Sequence, residues 1–579
     1  MHPFTIYVVW HPLFSEGRTY AEMIYQTYSR NFKEPFNRSL GIPVYYRSIG
    51  ASGNEDEMPK RIDPDAAAHT AIVVLIDDYM VVHRDEWQDY LEELVAMDKE
   101  NDCLRIFPVA IAKNATSINN LLSKKNFIRV FDKEQQEQQM RFVNISLAHE
   151  FCRLLHGFER ASDDKPTSLP RLKLFLSHSK ADGVEITKLL KYWVQEFTGL
   201  QSFFDATDIP PGESFGKVIS EGVVDSTLLV IQTDIYSTRE WCRTEVLEAK
   251  KNRRPVVVVN ALDKGESRSF PYMCNVPVIR WATENASDFS LMIERIILAV
   301  LLETLRHRYQ EYYVDYLFKT FLPSAGDFKI LKNAPELLDL VGEGNSHPSL
   351  NDHYLYPDPP LGDGELQLLQ QFNTTAKFST PVQLIREASQ QDPAQQKFRI
   401  GISISESGMM ESRGLSIDHL KDIMVEAARY LLASGHSLAY GGDIAYSDGF
   451  NFVMLLKEMV TTYRSDYKTV KNVVTNFVAF PLNNLVNPSV EADLIDQVKF
   501  VRIPPPENLS INIKRDWQRI LKSETVADQY LFAQCLTEMR IKMNQQIDAR
   551  IILGGKLTGF KGKYPGLVEE TLLAMHNTK

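Results

Sequence analysis

The residues of this chain best suited to chemistry fall into two groups. Toward the C-terminus, two strand-like segments end in paired glycines, in YGGD at 440–443 and LGGK at 553–556. Glycines directly after a strand let backbone amides approach a phosphate or ribose, and a helix opening beyond them offers its N-terminus to an anion. Gly441, Gly442 and Asp443 make the first such turn; Gly554, Gly555 and Lys556 make the second, and Pro565 and Gly566 then open a helix in KYPGLVEE at 563–570. Glu569 and Glu570 either reach a ribose hydroxyl or favour the N-terminal turns of that helix. Ser403, Ser405 and Glu406 stand at and just beyond the end of a third strand-like run, FRIGISIS at 398–405.

The second group lies mid-chain. Ser177, His178, Ser179 and Lys180 follow the apolar run LKLFLS at 172–177, and in a doubly wound sheet ligands bind at the carboxyl ends of strands, where Lys180 suits phosphates. REWCRTE at 239–245 puts Trp241 and Glu245 in the first turns of a helix. Alone, such a glutamate is a solvated residue favoured by the helix dipole, and such a tryptophan is first a packing residue and second a stacking surface. Asp205, before the turn-rich ATDIPPGES, serves equally as an Asx turn or a substrate contact.

The elements that must position these residues alternate strand and helix. After 172–177, Ile186, Leu189, Leu190, Trp193, Val194 and Phe197 mark one helix face. Short runs at 201–204, 226–232 and 256–259 read as strands, with a helix from about Arg239, an edge strand at 276–279 that tolerates Pro277, and a closing helix over 289–305. This indicates a parallel sheet covered on both faces. The first 160 residues repeat the order: strands at 5–9, 43–46, 71–76, 106–111 and 127–131, with helices at 20–28, near Trp87 and near 145–155. TAIVVLIDDYMVVHRDEWQDYLEEL beside STLLVIQTDIYSTREWCRTEVLEAK is the best local match, and aligning Trp87 with Trp241 sets Leu91 opposite Glu245. Two related domains are expected, only the second keeping the carboxylate. Beyond residue 306, HPSLNDHYLYPDPPLGDGE concentrates turn formers and reads as an irregular connector. From Lys397 a strong helical stripe, Ile417 to Leu432, separates two strands.

Bulk properties agree with a multidomain globular protein. The 579 residues exceed what one core supports, and 44% hydrophobic with 24% charged residues is ordinary. A net charge of −11 argues against coating nucleic acid, which needs a concentrated basic surface. Five cysteines without a CxxC pair argue against a disulfide framework or structural zinc, so no metal is expected and a reducing, cytoplasmic compartment is. No run approaches the ~20 apolar residues of a membrane helix, and no basic region leads into an apolar run at the N-terminus.

FLSHSKAD at 175–182, FFDATDIPPGESF at 203–215 and REWCRTE at 239–245 resemble, in order, the first strand and loop, the BB loop and the Trp-x-x-x-Glu helix of TIR domains. The resemblance implies a flavodoxin-like fold, NAD as substrate with no separate cofactor, and Glu245 as catalytic glutamate, with Ser177, His178, Ser179, Lys180, Asp205 and Trp241 around the substrate. It also implies a homo-oligomer in which the BB loop, here Ile209, Pro210, Pro211, Gly212 and Glu213, completes a neighbour's site. Breaking an N-glycosidic bond builds positive charge on the ribose, which a carboxylate stabilises, and cationic nicotinamide leaves without needing a proton.

SISES, YGGD, LGGK and PGLVEE resemble the SLOG group of Rossmann-like nucleotide-binding domains. In the enzymatic LOG pattern the glycines and acidic residues lie in one compact run; here residues 556–564 intervene, which favours a sensor over a hydrolase. The expected architecture is α/β and multidomain: a degenerate TIR-like domain at 1–160, a TIR domain at 170–306, a helical and irregular connector at 307–395 and a SLOG domain at 396–579. By analogy with Thoeris- and CBASS-like bacterial antiphage effectors, a nucleotide-derived second messenger at the SLOG domain is expected to drive oligomerisation and NAD hydrolysis. A TIR cyclase making a cyclic ADP-ribose messenger and a non-enzymatic TIR scaffold are the alternatives.

Overall fold

A computed structural model describes residues 2–32, 40–50, 58–118, 122–159, 172–204 except 198–200, 226–282 except 267, 288–321, 328–340, 353–390, 397–442 except 408, 452–463, 473–509, 514–560 and 562–576. All strand pairings within its four sheets are parallel. The first sheet contains β1 (Thr5–Trp10), β2 (Val44–Arg47), β3 (Thr70–Ile76), β4 (Leu104–Ala110) and β5 (Ile128–Arg129), ordered β2-β1-β3-β4-β5. The second contains β6 (Lys173–His178), β7 (Gln201–Phe204), β8 (Thr227–Gln232), β9 (Val256–Asn260) and β10 (Val278–Arg280), ordered β7-β6-β8-β9-β10. Both follow the 2-1-3-4-5 order of a flavodoxin-like sheet. Their central strands β1, β3 and β8 are buried throughout, as helices on both faces require.

The duplicated helix corrects the tryptophan alignment. Trp87, Tyr90, Leu91 and Leu94 are buried on the helix Arg84–Glu100, and Cys242, Glu245, Val246 and Ala249 on the helix Glu240–Lys251. The shared spacing sets Trp87 opposite Cys242 and Tyr90 opposite Glu245. Which face meets the sheet fixes helix phase, so residue identity misleads by one position. The first domain thus carries a tyrosine where the second carries its glutamate.

The two domains join through their closing helices, Gln136–Glu159 and Asp288–Phe321, whose apolar faces share one core with both sheets. Arg141 Nε donates to Glu294 Oε2 at 2.7 Å across this contact, and the Cys152 thiol donates to the Leu301 carbonyl at 3.3 Å. The helix from Asp288 runs on to Phe321, past the expected domain end at 306. Among the described residues no helix is long and apolar enough to cross a membrane.

The connector is more ordered than its turn formers suggest. β11 (Lys329–Ile330), β12 (His353–Leu355) and β13 (Lys377–Ser379) form a small sheet in that order, over a core including Tyr354, Tyr356, Leu369 and Phe378. Strands of two or three residues are too short to show a period.

The C-terminal sheet contains β14 (Arg399–Ser405), β15 (Ser437–Gly441), β16 (Val474–Ala479), β17 (Val498–Ile503) and β18 (Ala549–Gly554), ordered β17-β16-β15-β14-β18. The order reverses direction between β14 and β18, so a crevice is expected where those strands end. Its first helix, Ile417–Ala433, docks on the first domain. Tyr46 N–H donates to the Gly414 carbonyl at 3.0 Å, and Arg30 bridges Asp422 and Glu426, each at 2.8 Å.

Candidate active site

Ser177 and His178 end β6, paired with Val230 and Ile231 of β8. The chain leaving β8 turns through Tyr236–Thr238 and enters the helix Glu240–Lys251, which returns Glu245 to the end of β6. Ser177 O–H donates to Glu245 Oε2, and Ser177 Oγ lies 2.5 Å from the Tyr236 hydroxyl. Ser177 gives its single proton to Glu245, so the proton between Ser177 and Tyr236 is the tyrosine's. The competing contact of the Tyr236 hydroxyl with the Cys242 carbonyl, at 3.4 Å, is too long to win that proton. All three residues are buried, Glu245 being 1% exposed.

The surrounding loops are fastened by carboxylates. Asp182 accepts from Thr233 O–H at 2.7 Å, tying the turn after β6 to the end of β8. Asp234 accepts the backbone N–H groups of Asp263 at 2.9 Å and Gly265 at 3.2 Å, and that of Lys264 between them. These amides, Lys264's first, hold its carboxyl below the usual range. Glu266 accepts from Gln232 at 2.8 Å and from Ser237 at 2.7 Å.

Of the expected substrate contacts, Ser177, His178 and Ser179 are buried at and just past the end of β6, whereas Lys180 is exposed. Trp241, expected first to pack, is instead 52% exposed, because the helix face carrying Cys242 and Glu245 meets the sheet. Asp205 and the BB loop from Ile209 to Glu213 lie outside the described residues, as does Asp443.

In the C-terminal domain the expected ligand residues gather at the ends of three adjacent strands. Ser403 and Ser405 lie on β14, Gly441 and Gly442 at the end of β15, and Gly554 and Gly555 at the end of β18, with Ser405 paired to Gly554. Gly554 has φ +75°, and a Cβ there would fall 2.0 Å from the Ser405 carbonyl oxygen. That backbone approach, closed by Gly555 N–H to the Ser405 carbonyl at 2.9 Å, requires glycine. Gly441 faces the helix Val526–Asn544, where a Cβ would meet Met539 Cε at 3.1 Å. Glu406 and Lys556 are exposed, and Pro565 and Gly566 half-buried.

The two glutamates of PGLVEE are held by arginines that sequence reading missed. Arg540 pairs with Glu569 and with Glu570, the latter at 3.2 Å, and Thr537 O–H donates to Glu569 at 2.7 Å. Arg550 donates to Glu570 at 2.6 Å, to Ser403 Oγ at 2.5 Å and to Asn544 at 2.7 Å. Glu569 is thus placed to anchor the helix Gly566–His576 rather than left open for a ribose. Arg540 sits 29 residues before its partner Glu569, with no motif to join them.

Comparison with known proteins supplies the families. The model described as TIR domain matches residues 174–288, and the one described as SLOG cluster2 matches residues 394–579. Among solved structures, the chain is similar to the TIR domains of the activated Roq1 resistosome directly recognizing the pathogen effector XopQ. That likeness has 17% identity, covers 22% of this chain and 83% of that one, and has a TM-score of 0.15. The comparison with curated proteins found no match. The chain is a fusion of a TIR domain with a SLOG domain.

Proposed function

We propose that the chain cleaves NAD at the nicotinamide glycosidic bond, with Glu245 as catalytic carboxylate, under control of a nucleotide-derived ligand at the SLOG domain, and that the resulting NAD loss serves defence. What carries this reading is a buried carboxylate held by a serine–tyrosine chain at the carboxyl ends of the central TIR strands. As the ribose–nitrogen bond breaks, its electron pair passes to the pyridinium nitrogen, so nicotinamide leaves neutral and the ribose carries the positive charge. Glu245 stabilises that cation, more strongly in a water-poor site, and water then adds with loss of a proton. Exposed Lys180 suits the phosphates and exposed Trp241 a stacked ring.

At 1% exposure Glu245 is covered, so substrate reaches it only after rearrangement. This supports a gated enzyme, in which the ligand favours an assembly that opens the site. The test is NAD consumption by full-length protein, with and without cyclic ADP-ribose isomers and cyclic nucleotides, beside Glu245→Gln. Ligand-dependent loss that vanishes in the variant is expected; loss that persists in Glu245→Gln refutes the assignment. The same burial favours one other reading, a TIR scaffold without activity, and there Glu245→Gln leaves assembly and in vivo behaviour unchanged.

A further inference from the structure

A cavity of about 1310 Å³ lies where the first domain, the helix Asp288–Phe321, the connector and the SLOG domain meet. It is separate from both sites described above. Eight tyrosines line it, including Tyr309, Tyr313 and Tyr316 on the long helix and Tyr430 and Tyr463 from the SLOG domain. Its charged lining is six carboxylates against three arginines, with no lysine among the described residues.

The charge is unbalanced around Arg30 and Arg429. Arg30 faces Asp422 and Glu426, while Arg429 faces Glu426 and, at 3.7 Å, Asp358 Oδ2. Three carboxylates thus share two guanidinium groups. The side chain of Asp358 is 8% exposed and its Oδ1 has no hydrogen-bond partner. Asp358 is met by Arg429 and by a Thr380 hydrogen bond, yet burial still pushes its carboxyl up, and a buried acceptor left unmade is costly, so at Oδ1 the site is incomplete as it stands. Arg429 already lies over the rings of Tyr430 and Tyr463, at 5.1 and 5.9 Å, so the tyrosine faces here accept a cation.

We propose that this cavity binds a small organic cation, a quaternary or protonated nitrogen on a compact aromatic frame, held by the tyrosine faces and the surplus carboxylate at Asp358. The same surplus repels phosphate, which separates this ligand from the nucleotide expected at the SLOG glycines. A ligand here touches elements of all four units and so bears on how they sit together.

The test is isothermal titration calorimetry of full-length protein with N-methylpyridinium and benzyltrimethylammonium, with toluene as the neutral isostere of the former. Saturable binding of at least one cation, absent for toluene, is expected. Affinity should fall about tenfold or more in Asp358→Asn and in Tyr316→Leu, a change of ~1.4 kcal/mol per tenfold. Tyr316 lies outside the ion pairs described above, so this variant keeps the test valid if Asp358→Asn fails to fold. No saturable binding of either cation at millimolar concentration overturns the proposal. So does toluene binding as tightly, which means an apolar void only, or cation binding unchanged in folded variants.

Discussion

Glu245 receives the Ser177 proton, and Ser177 in turn receives that of Tyr236, so the carboxylate's charge is spread along two buried hydroxyls. Tyr236→Phe removes the outer donor without emptying the site, since the ring is buried among Val230, Cys242 and Val246. On the proposed activity, kcat should fall about tenfold with KM little changed, because the loss falls on charge stabilisation in the transition state. An unchanged rate in the folded variant assigns Tyr236 a packing role only. Glu245 was legible because it closes a contiguous motif. Tyr236 was not: it lies 59 residues from Ser177, and only folding joins them. Trp241 misled for the converse reason, since its type says packing while its helical phase turns it outward.

Among elements, those with a long apolar run were legible in type and order, as β1, β3, β8 and β14 were. The connector strands were not, nor were β16 and β17, whose sheet neighbours the sequence does not name. The strand-to-glycine turn at the end of β18 belongs to this scale because its two glycines do different things. A Cβ on Gly554 meets the neighbouring strand's carbonyl oxygen at 2.0 Å, and backbone cannot step aside. A Cβ on Gly555, at φ +124°, comes no nearer than 3.5 Å to Leu567, so only conformational strain opposes it. Gly554→Ala should therefore destabilise the protein by about 3 kcal/mol or more, read as a lowered unfolding midpoint. Gly555→Ala should cost only about 1–3 kcal/mol while weakening the nucleotide binding proposed for the SLOG domain. Unaltered ligand affinity in a folded Gly555→Ala protein removes that turn from the ligand site.

At the scale of the whole molecule, the sequence announced separate units but not how they meet, because contacts between domains carry no local period. The SLOG domain rests on the first, glutamate-less domain through His419. Its Nδ1 accepts from Ser416 N–H at 2.9 Å, so its Nε2 carries the proton donated to the Val44 carbonyl at 2.6 Å. The neutral tautomer is thus required on both sides, and burial holds the ring down to about 4. With the unfolded value near 6.5, the unfolded chain binds the extra proton first as pH falls. The stability this group contributes is complete above about 6.5 and is lost progressively down to about 4, on the order of 3 kcal/mol in all. His11 and His69, also held down to about 4 by burial, act over the same window. The measurement is therefore the difference between wild type and His419→Gln, whose amide can still donate to Val44. Unfolding midpoints taken at pH 7 and pH 4.5 should converge between the two proteins as pH falls, because only wild type loses the His419 contribution. Parallel loss in both places the acid sensitivity elsewhere and leaves the SLOG contact insensitive to pH.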